Sequence, residues 1–321
     1  MGEFDLIDRF FKRPTPAADL GIGDDCALLS PRPGHQLALS SDMLVEGRHF
    51  LSTTDPIRLG HKSLAVNLSD LAACGAEPRA FLLSLALPQA NEAWLQGFSQ
   101  GLFALADAHG CALIGGDTTQ GPLNIAITVI GDVPHGQALL RSGARAGDDI
   151  YVSGSVGDAR LALEVFRGQL SLPEAVFERC RERMEQPTPR VALGMALRGL
   201  ASAAADISDG LLGDLGHILR QSQVGACLQV PACEQLLACR DAVRLSESWR
   251  HTCVFSGGDD YELVFTAAPS QRDAVAQAAS TAEVAVSRIG SITPQPGVTM
   301  LDAQGHALSS RFASFDHFAQ D

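Results

Sequence analysis

The segment Ile57-Arg-Leu-Gly-His-Lys-Ser-Leu-Ala-Val-Asn-Leu-Ser-Asp-Leu-Ala-Ala-Cys-Gly75 carries the helical pattern on which the fold prediction rests. Its apolar residues recur at the spacing of one helix face, at Leu59, Leu64, Leu68, Leu71 and Ala72. Gly75 is a typical C-terminal cap, and Pro78 prevents the helix from continuing. The pattern therefore predicts a helix over 57–74 and then an apolar strand over 80–87.

Further helices and strands are predicted on both sides of this segment. In the first half we predict helices over 4–12 and 92–109, and strands over 26–29, 37–41, 111–115 and 124–130. In the second half we predict helices over 157–168, 173–185, 189–202 and 209–222, and strands over 149–153, 225–230, 261–267, 284–291 and 297–301. The pattern restarts near Gly143–Asp148, and 321 residues are enough for two domains. We therefore divide the chain into domains 1–140 and 141–321.

Composition and charge exclude several function classes. A hydrophobic fraction of 46% and a mean hydropathy of +0.09 are typical of a soluble globular protein. The formal charge of −13 argues against binding to nucleic acid or to an anionic membrane. No apolar run approaches the roughly 20 residues that a membrane-spanning helix needs. The N-terminus does not read as a signal peptide, because it has no basic segment followed by an apolar one.

The chain has eight cysteines, and no two of them form a C-x-x-C pair. Cysteines and histidines do not cluster at zinc-finger spacing, and most of the cysteines lie in apolar runs. Buried, reduced thiols are therefore favoured over a redox or metal role. That reading predicts a cytoplasmic protein, because the cytoplasm keeps thiols reduced.

Aspartates beside glycine or serine are the candidate chemistry of the chain. They form six clusters, which are Gly23-Asp24-Asp25, Ser40-Ser41-Asp42, Asp70, Gly115-Gly116-Asp117, Asp206-Ile-Ser-Asp209 and Gly257-Gly258-Asp259-Asp260. We expect them to follow strands or begin helices, where loops present side chains to a cleft. Small neighbours let a polyanion approach the backbone, and carboxylate and hydroxyl oxygens are the ligands that Mg²⁺ selects. A single Gly-Asp is more commonly a turn or a cap, as we expect for Asp148-Asp149, but six clusters favour a metal site.

The chain lacks the lysine that a P-loop needs. Its only lysines are Lys12 and Lys62, and neither follows a glycine. Gly21-Ile-Gly23 begins like a dinucleotide fingerprint, but Cys26 replaces the third glycine. Acidic side chains repel a pyrophosphate, so several Mg²⁺ ions would have to bridge them to the phosphates of ATP. Arg141 is a candidate phosphate contact, although an isolated surface arginine explains it equally well.

The sequence contains no recognisable covalent nucleophile. It has no Gly-x-Ser-x-Gly elbow, and no cysteine stands beside an evident base. Direct in-line phosphoryl transfer is therefore the simplest mechanism, because it needs positioning more than covalent chemistry.

One short pattern occurs in both halves of the chain. Asn67-Leu-Ser-Asp70 and Asp206-Ile-Ser-Asp209 share their spacing and their polar residue types. We predict that each lies at or inside a helix, with its polar residues three apart on one face. Chance explains a match of four residues easily, so the repeat gives only moderate support to a common origin of the two halves.

Taken together, the motifs resemble the thiamine-monophosphate kinase family nearly from end to end. The matching segments are Phe4-Asp-Leu-Ile7, Gly21-Ile-Gly-Asp-Asp-Cys-Ala-Leu-Leu29, Ser40-Ser-Asp42, Lys62-Ser-Leu-Ala-Val-Asn-Leu-Ser-Asp-Leu-Ala-Ala73, Ile114-Gly-Gly-Asp-Thr-Thr119, Asp206-Ile-Ser-Asp-Gly-Leu211, Ser256-Gly-Gly-Asp-Asp-Tyr-Glu-Leu263 and Phe315-Asp-His-Phe318. The resemblance implies a two-domain α/β (α+β) fold like that of aminoimidazole ribonucleotide synthetases, with mixed sheets flanked by helices. It also implies an ATP cleft between the domains and a homodimer formed through the N-terminal domains. The implied reaction converts ATP and thiamine monophosphate to ADP and thiamine diphosphate.

The resemblance also assigns roles to particular residues. The residues that it implies for Mg²⁺ are Asp25, Ser40, Ser41, Asp42, Asp70, Asp117, Asp206 and Asp209. Those implied for ATP are Gly116, Asp117, Arg141 and Ser208, and those for thiamine monophosphate are His49, Asp259 and Phe315. No catalytic base is implied.

Each of the three substrate residues also has a structural reading. His49 could donate to the substrate or cap a loop, and Asp259 could pair with a cationic ring or cap a turn. Phe315 could stack on an aromatic ring of the substrate or fill a core. The chain departs from the family at Asp259, where Glu is common, at Phe315, where Trp or Tyr is frequent, and at Ser41, where Thr is frequent.

Two rival functions remain open on the sequence alone. One is another enzyme of the same fold, a selenophosphate synthetase or an amidine cyclo-ligase; the former would need a reactive N-terminal cysteine near a lysine, and Cys26 has no such neighbour. The other is a non-catalytic protein that binds nucleotide or thiamine phosphate. It is disfavoured because a binder has no need for so many like charges in one cleft.

Overall fold

The computed structural model describes residues 2–16 and 18–308. These residues form two compact units. The first unit contains the described residues up to Leu71 together with Ala76–Gly136, and the second contains Ala72–Gly75 and the described residues from Gln137 onward.

The first six elements alternate between helices and strands, and a fourth strand follows the third directly. They are α1 Glu3–Phe10, β1 His35–Val45, α2 Pro56–Ala73, β2 Glu77–Leu87, α3 Glu92–Ala108, β3 Ala112–Gln120 and β4 Asn124–Pro134. The four strands form a mixed sheet in the order β1-β4-β2-β3. β4 is antiparallel to both β1 and β2, and β3 is parallel to β2.

Helix α2 packs its apolar side on this sheet and against α3. The helix ends as predicted at Gly75, whose φ is +67° and whose N–H donates to the carbonyl of Ala72 at 2.9 Å. Two glycines allow a close approach of α2 and α3. A Cβ at Gly60 would lie 2.0 Å from the carbonyl oxygen of Phe98, and one at Gly101 would lie 1.8 Å from that of Ile57. Any larger side chain would force the helices apart, so these glycines set the position of α2 on the sheet.

The second unit contains a six-stranded mixed sheet in the order β10-β7-β9-β5-β8-β6. Its elements are β5 Asp149–Ser153, α4 Asp158–Phe166, α5 Glu174–Glu185, α6 Val191–Ala196, β6 Ala203–Ile207, α7 Leu211–Ser222, β7 Gly225–Gln229, α8 Val230–Glu234, α9 Glu247–Ser256, β8 Glu262–Ala267, α10 Arg272–Thr281, β9 Val286–Thr293 and β10 Gly297–Leu301. The strands β5, β6 and β8 are buried along their whole length. Runs of this kind are typical of strands that lie within a core rather than at a surface.

Several local predictions were wrong. Residues 26–29 are not a strand, and only Leu28 forms an isolated bridge, to Leu20. The strand predicted over 111–115 continues to Gln120, so the glycine pair and Asp117 lie within it. The helix predicted over 189–202 is limited to α6. The pattern also missed β6, α9 and α10, because short buried strands and short helices carry little periodicity.

None of the helices within the described residues combines the length and the apolar character needed to cross a membrane.

Candidate active site

The first group of candidate residues lies where β1 meets α2. The Ser40 hydroxyl donates to Oδ2 of Asp70, which lies inside α2. Two residues along β1, the N–H of Asp42 donates to Oδ1 of Asn67 at 3.1 Å. Residues two apart on a strand share a face, so Ser40 and Asp42 both face α2. Two carboxylates and a hydroxyl thus lie together, which is a suitable donor set for a hard cation.

Ser41 and Asp25 are held by other partners. Ser41 is exposed on the opposite face of β1, where its Oγ contacts Oγ1 of Thr128 at 2.9 Å and donates to the carbonyl of Ile127 at 3.2 Å. Asp25 is exposed between α1 and β1, and its N–H donates to Oδ1 of Asp24 at 2.9 Å. Both keep oxygen atoms at the surface of the first unit.

Gly116 and Asp117 lie in β3, at the edge of the sheet opposite to β1. Gly116 has a φ of +145°, and a Cβ there would lie 1.8 Å from the carbonyl oxygen of Leu83. Only glycine fits this position. The exposed Asp117 pairs with Ser84 of β2. Three strand spacings of about 4.8 Å separate β3 from β1, so Asp117 lies about 14 Å from the residues of β1 along the sheet.

His49 closes the turn that follows β1. Its Nδ1 accepts the N–H of Val45 at 2.9 Å. In a neutral ring this acceptor role places the proton on Nε2, so that Nε2 is the donor. The loop-capping role is therefore present in the structure, and it orients the ring of His49.

The segment Asp206–Asp209 joins the end of β6 to the turn before α7. Asp206 is buried, and it pairs across the sheet with Leu263. The N–H groups of Ser208 and Asp209 both donate to Oδ2 of Asp214, each at 3.0 Å. Asp214 lies in the first turn of α7 and is buried. Its side chain therefore holds the Ser208–Asp209 turn from the interior of the unit.

Arg141 lies close to this turn. Burial raises the pKa of Asp214 to about 7, while its N–H donors and the positive charge of Arg141 oppose that rise. Burial and the charge of Arg141 lower the pKa of His217. The exposed Arg141 side chain therefore places its charge beside the Asp209 turn, within the second unit.

The segment Gly257–Tyr261 is held against the same turn in an uncommon conformation. Gly258, Asp259 and Tyr261 have φ values of +71°, +64° and +52°. The N–H of Asp259 donates to the carbonyl of Ser208 at 2.7 Å, and the N–H of Tyr261 donates to that of Ile207 at 2.9 Å. Left-handed backbone at residues other than glycine is rare, and it persists where surrounding contacts impose it.

Asp260 anchors this segment from behind. Its side chain is buried, and Oδ1 accepts the N–H of Gly157 at 2.9 Å. Burial raises the pKa of Asp260 well above its ordinary value. The buried carboxyl thus acts as a structural hydrogen-bonding group next to Asp259.

The structure therefore brings the candidates together in two groups. Ser40, Asp42 and Asp70 meet in the first unit, and Asp206–Asp209 meets Asp259 and Arg141 in the second. Phe315 lies outside the described residues. The expectation that the aspartates follow strands or begin helices was wrong for three of them, which lie inside strands, namely Asp42, Asp117 and Asp206. Asp70 lies inside α2, as predicted.

Sequence reasoning missed the residues that support the site. The sequence patterns assigned no role of its own to Asn67, although its side-chain amide accepts the backbone N–H of Asp42. Asp214 was not considered at all. An acidic residue in the first turn of a predicted helix is a known capping signal, and this signal would have pointed to Asp214.

Two family profiles together cover most of the chain. The profile described as AIR synthase related protein, N-terminal domain, matches residues 23–133, and the corresponding C-terminal domain matches residues 145–302. The fold and the two acidic groups thus define an AIR-synthase-related protein that carries both domains.

Curated relatives narrow this class. Thiamine-monophosphate kinase of Escherichia coli (strain K12) is 42% identical over 322 residues, covering 99% of this chain and 98% of the relative. That of Haemophilus influenzae is 40% identical and covers 100% of this chain and 99% of the relative. The chain belongs to the thiamine-monophosphate kinase family, and it is an enzyme of the kinase class. The resemblance seen in the motifs is confirmed.

Solved structures agree with this assignment. The crystal structure of thiamine-monophosphate kinase from Stenotrophomonas maltophilia K279a has 46% identity and a TM-score of 0.82, covering 92% of this chain and 94% of that one. A structure described as AaThiL complexed with AMPPCP and TMP has 26% identity and a TM-score of 0.74, covering 98% of this chain and 96% of that one. The predicted two-domain α/β fold with mixed sheets is confirmed.

Proposed function

We propose that this enzyme transfers the γ-phosphoryl group of ATP to the phosphate of thiamine monophosphate, giving ADP and thiamine diphosphate. The observation that carries the proposal is the end-to-end identity with thiamine-monophosphate kinases, at 42% over 99% of the chain. A relative at 26% identity is described as binding AMPPCP, an ATP analogue, together with TMP. The aspartates of the first group and those of the second group are present in this chain. They suit phosphoryl transfer at a site that has few lysines.

The donor set of the first unit fits Mg²⁺. Ser40 and Asp70 are already joined by a hydrogen bond, and Asp42 lies two residues along the same strand face. Hard oxygen donors of this kind suit Mg²⁺ rather than softer metals. We assign the ions to Asp25, Ser40, Ser41, Asp42, Asp70, Asp117, Asp206 and Asp209. When bound, Mg²⁺ would neutralise the charge that the phosphates of ATP carry.

The second unit supplies the contacts to ATP. Ser208 and Asp209 belong to a turn whose N–H groups are bonded to Asp214, so the backbone of the turn is held in place before the nucleotide binds. Arg141 places a positive charge beside this turn and would pair with a phosphate oxygen. Gly116, in the first unit, exposes backbone that a bulky anion can approach. Asp117 completes the ATP-binding set.

His49 and Asp259 are proposed to bind thiamine monophosphate. The hydrogen bond from the N–H of Val45 to Nδ1 of His49 orients the ring, and the protonated Nε2 of the neutral ring is the nitrogen proposed to donate to a phosphate oxygen. Asp259 is presented from a segment with fixed backbone, and its carboxylate suits a cationic ring. Phe315 would add a stacking surface.

The transfer itself is proposed to be direct and in line. A phosphate oxygen of thiamine monophosphate attacks the γ-phosphorus, and the bond to the β–γ bridging oxygen breaks as ADP leaves. The acceptor phosphate is already ionised, so no general base is needed. Burial raises the pKa of the Cys111, Cys233 and Cys253 thiols to about 12, which keeps these thiols protonated and unsuited to nucleophilic attack.

An assay of the purified full-length chain tests the proposal. With ATP, Mg²⁺ and thiamine monophosphate, we expect thiamine diphosphate and ADP in equal amounts, detected by chromatography. Thiamine in place of its monophosphate should give no phosphorylated product. If the folded protein forms no thiamine diphosphate under these conditions, the proposal fails.

We also propose that two copies of the chain pair through the sheet of the first unit. On the face of β1 that also carries Ser41, three apolar residues are exposed, with Leu37 at 38%, Leu39 at 64% and Met43 at 57%. An apolar stripe of this kind on a sheet face is typical of an interface.

Light scattering coupled to size exclusion tests the dimer. We expect the mass of two chains for the native protein and of one chain for Leu39→Lys, because a buried unpaired charge disrupts an apolar interface. Val298→Lys is the control, since Val298 is 42% exposed on β10 of the other unit. A monomeric native protein would contradict the proposal.

We place the reaction in the cytoplasm, where ATP is available. The described cysteines are all free thiols, which suits a reducing compartment. Detection of the protein in the periplasmic fraction of cells that express it would contradict this placement.

A further inference from the structure

Two cysteines and an aspartate, none of them assigned to a substrate, meet in the core of the second unit. Cys180 lies in α5, Cys239 lies in the irregular segment between α8 and α9, and Asp158 begins α4. The two sulfur atoms are 3.0 Å apart. The ligand atoms of all three residues lie within 4.8 Å of one another, and all three residues are buried.

Asp158 holds Cys239 in place. Its carboxylate accepts the N–H of Ala238 at 3.3 Å and the N–H of Cys239 at 3.2 Å, and it also accepts the thiol of Cys239. Three donors from one short segment fix that segment against α4. The Cys180 thiol approaches from α5, so the contact between the two sulfurs joins parts of the chain that are 59 residues apart.

The distance between the sulfurs is close to that of a covalent link. An S–S bond is about 2.05 Å long, so a movement of about 1 Å would close it. Two thiolates around a tetrahedral zinc ion at about 2.3 Å would lie about 3.8 Å apart, which is wider than the observed contact. The observed contact lies between these two distances, so the number of ligands decides. Among the described residues the group offers three ligands, one fewer than a structural zinc site takes, which favours a bond between the sulfurs.

We propose that Cys180 and Cys239 form a reversible disulfide when the enzyme meets a peroxide. Asp158 accepts the proton of the Cys239 thiol, and the thiolate attacks one oxygen of the peroxide to give a sulfenic acid. The O–O bond breaks, and the hydroxide that leaves takes the proton from Asp158 and becomes water. The sulfur of Cys180 then displaces water from that sulfenic acid. In total two thiols lose two electrons and two protons, and hydrogen peroxide becomes two molecules of water.

Burial makes this pair slow to react in the resting enzyme. The hydrogen bond with Cys180, burial and the nearby Asp158 all raise the pKa of Cys239. The thiolate is the reactive form, so reaction depends on brief opening of the segment. Ala238 and Asp241, on either side of Cys239, are exposed, which places the pair just beneath the surface.

The link would act on the active-site turn without touching it. The chain between Cys180 and Cys239 includes β6 and α7, and therefore the turn Asp206–Asp209. A disulfide that closes a loop of this length limits the unfolded chain and stabilises the folded one. Arg183, three residues after Cys180 on α5, pairs with Glu262 at 2.7 Å, next to the Asp259 segment. The oxidised enzyme should thus hold its second unit more firmly.

Peptide mapping of the full-length protein tests the proposal. The protein is treated with hydrogen peroxide, its remaining thiols are alkylated, and it is digested without reductant. We expect a peptide that links Cys180 to Cys239, with a mass two hydrogens below the sum of its parts, and its loss after treatment with dithiothreitol. The melting temperature should rise by roughly 5–10 °C on oxidation and fall again on reduction.

Variants separate this pair from the other cysteines. Cys180→Ser and Cys239→Ser should each abolish the peroxide-dependent rise in melting temperature. Cys227→Ser should keep it, because Cys227 lies on β7 outside the pair. Oxidation confined to the exposed Cys26, with no 180–239 link in the native protein, would overturn the proposal. So would one zinc ion per chain that survives dialysis and is lost in Cys180→Ser.

Discussion

Two segments that share a Ser-Asp pair and the spacing of their polar residues adopt different structures at the candidate site. Asn67–Asp70 lies inside α2, whereas Asp206–Asp209 runs from the end of β6 into a turn. In the helix, the backbone groups are satisfied by the helix itself, and only side chains reach across to β1. In the turn, the backbone bonds to the Asp214 side chain of the next helix and to two residues distant in the chain, Asp259 and Tyr261.

This difference shows that a shared motif does not imply a shared structure. The helical segment presents its carboxylate on a rigid, locally encoded scaffold. The turn depends on one buried acid and on a second segment in a left-handed conformation. We therefore expect the two segments to respond alike when a carboxylate is removed and differently when the backbone around them is changed.

Removing one carboxylate from either segment should have the largest effect. Asp70→Asn and Asp209→Asn should each lower kcat by roughly 100- to 1000-fold, because each loses a charge that offsets the charge of bound cations. The melting temperature should stay the same or rise, since repulsion between like charges is relieved. Steady-state assays and thermal melts measure both quantities.

Asp241→Asn is the control for this pair, because Asp241 is exposed and contacts only a neighbouring arginine among the ion pairs described. Normal turnover combined with a large loss of stability in either site variant would show that the carboxylate has a structural role instead.

A change of backbone at Gly258 should show how far the Asp206–Asp209 turn depends on its neighbouring segment. Gly258→Ala should lower the free energy of unfolding by about 2–4 kcal/mol, because φ is +71° and the new Cβ would lie 2.7 Å from the carbonyl oxygen of Ser208. Gly199→Ala has the same conformational strain, at φ +73°, but nothing within 4 Å, so it should cost only about 1 kcal/mol. Urea unfolding measures both variants. Equal losses would mean that the Ser208 turn does not depend on this close contact.

The smallest expected effect concerns pH. Burial raises the pKa of Asp260, so the folded protein keeps a proton that the unfolded chain has already lost. Stability should therefore fall as pH rises from the ordinary aspartate pKa, near 4, towards the raised pKa, by up to about 1.4 kcal/mol per pH unit. Asp260→Asn should flatten this slope and leave stability at neutral pH unchanged or higher, because the amide oxygen can still accept the N–H of Gly157.

Urea midpoints at several pH values measure the slope. Asp214, whose pKa is raised to about 7 by burial, adds a slope of the same sign, so part of the dependence remains in the variant. An unchanged slope in Asp260→Asn would show that this carboxyl does not titrate between the folded and unfolded states.

Elements with strong periodicity were predicted well from the sequence. The helix predicted over 57–74 is α2, Pro56–Ala73, with its glycine cap. The helix predicted from Asn91 is α3, and the Asn91 side chain caps it by accepting the N–H of Trp94. The alternation over 124–130 is β4, although that strand runs on to Pro134. In each case the signal lies within about 18 residues of chain.

Elements and roles that depend on distant partners were not predicted. β6 is a short alanine-rich strand, and it is defined by its pairing with β8 rather than by its own pattern. Asp214 gains its role from two N–H groups that only the folded turn directs towards it. The contact between Cys180 and Cys239 joins α5 to a segment 59 residues away, so no local pattern could reveal it.

The sequence by itself determined the family, the alternation of helices and strands, and the residue types that suit Mg²⁺ and phosphate, because these follow from local periodicity and side-chain chemistry. The tertiary structure alone decided which of those residues meet. Ser40 and Asp70, or Ser208 and Asp259, become neighbours only when strand pairing and helix packing bring distant parts of the chain together. Contacts of this kind depend on the whole fold, whereas a motif depends only on its nearest residues.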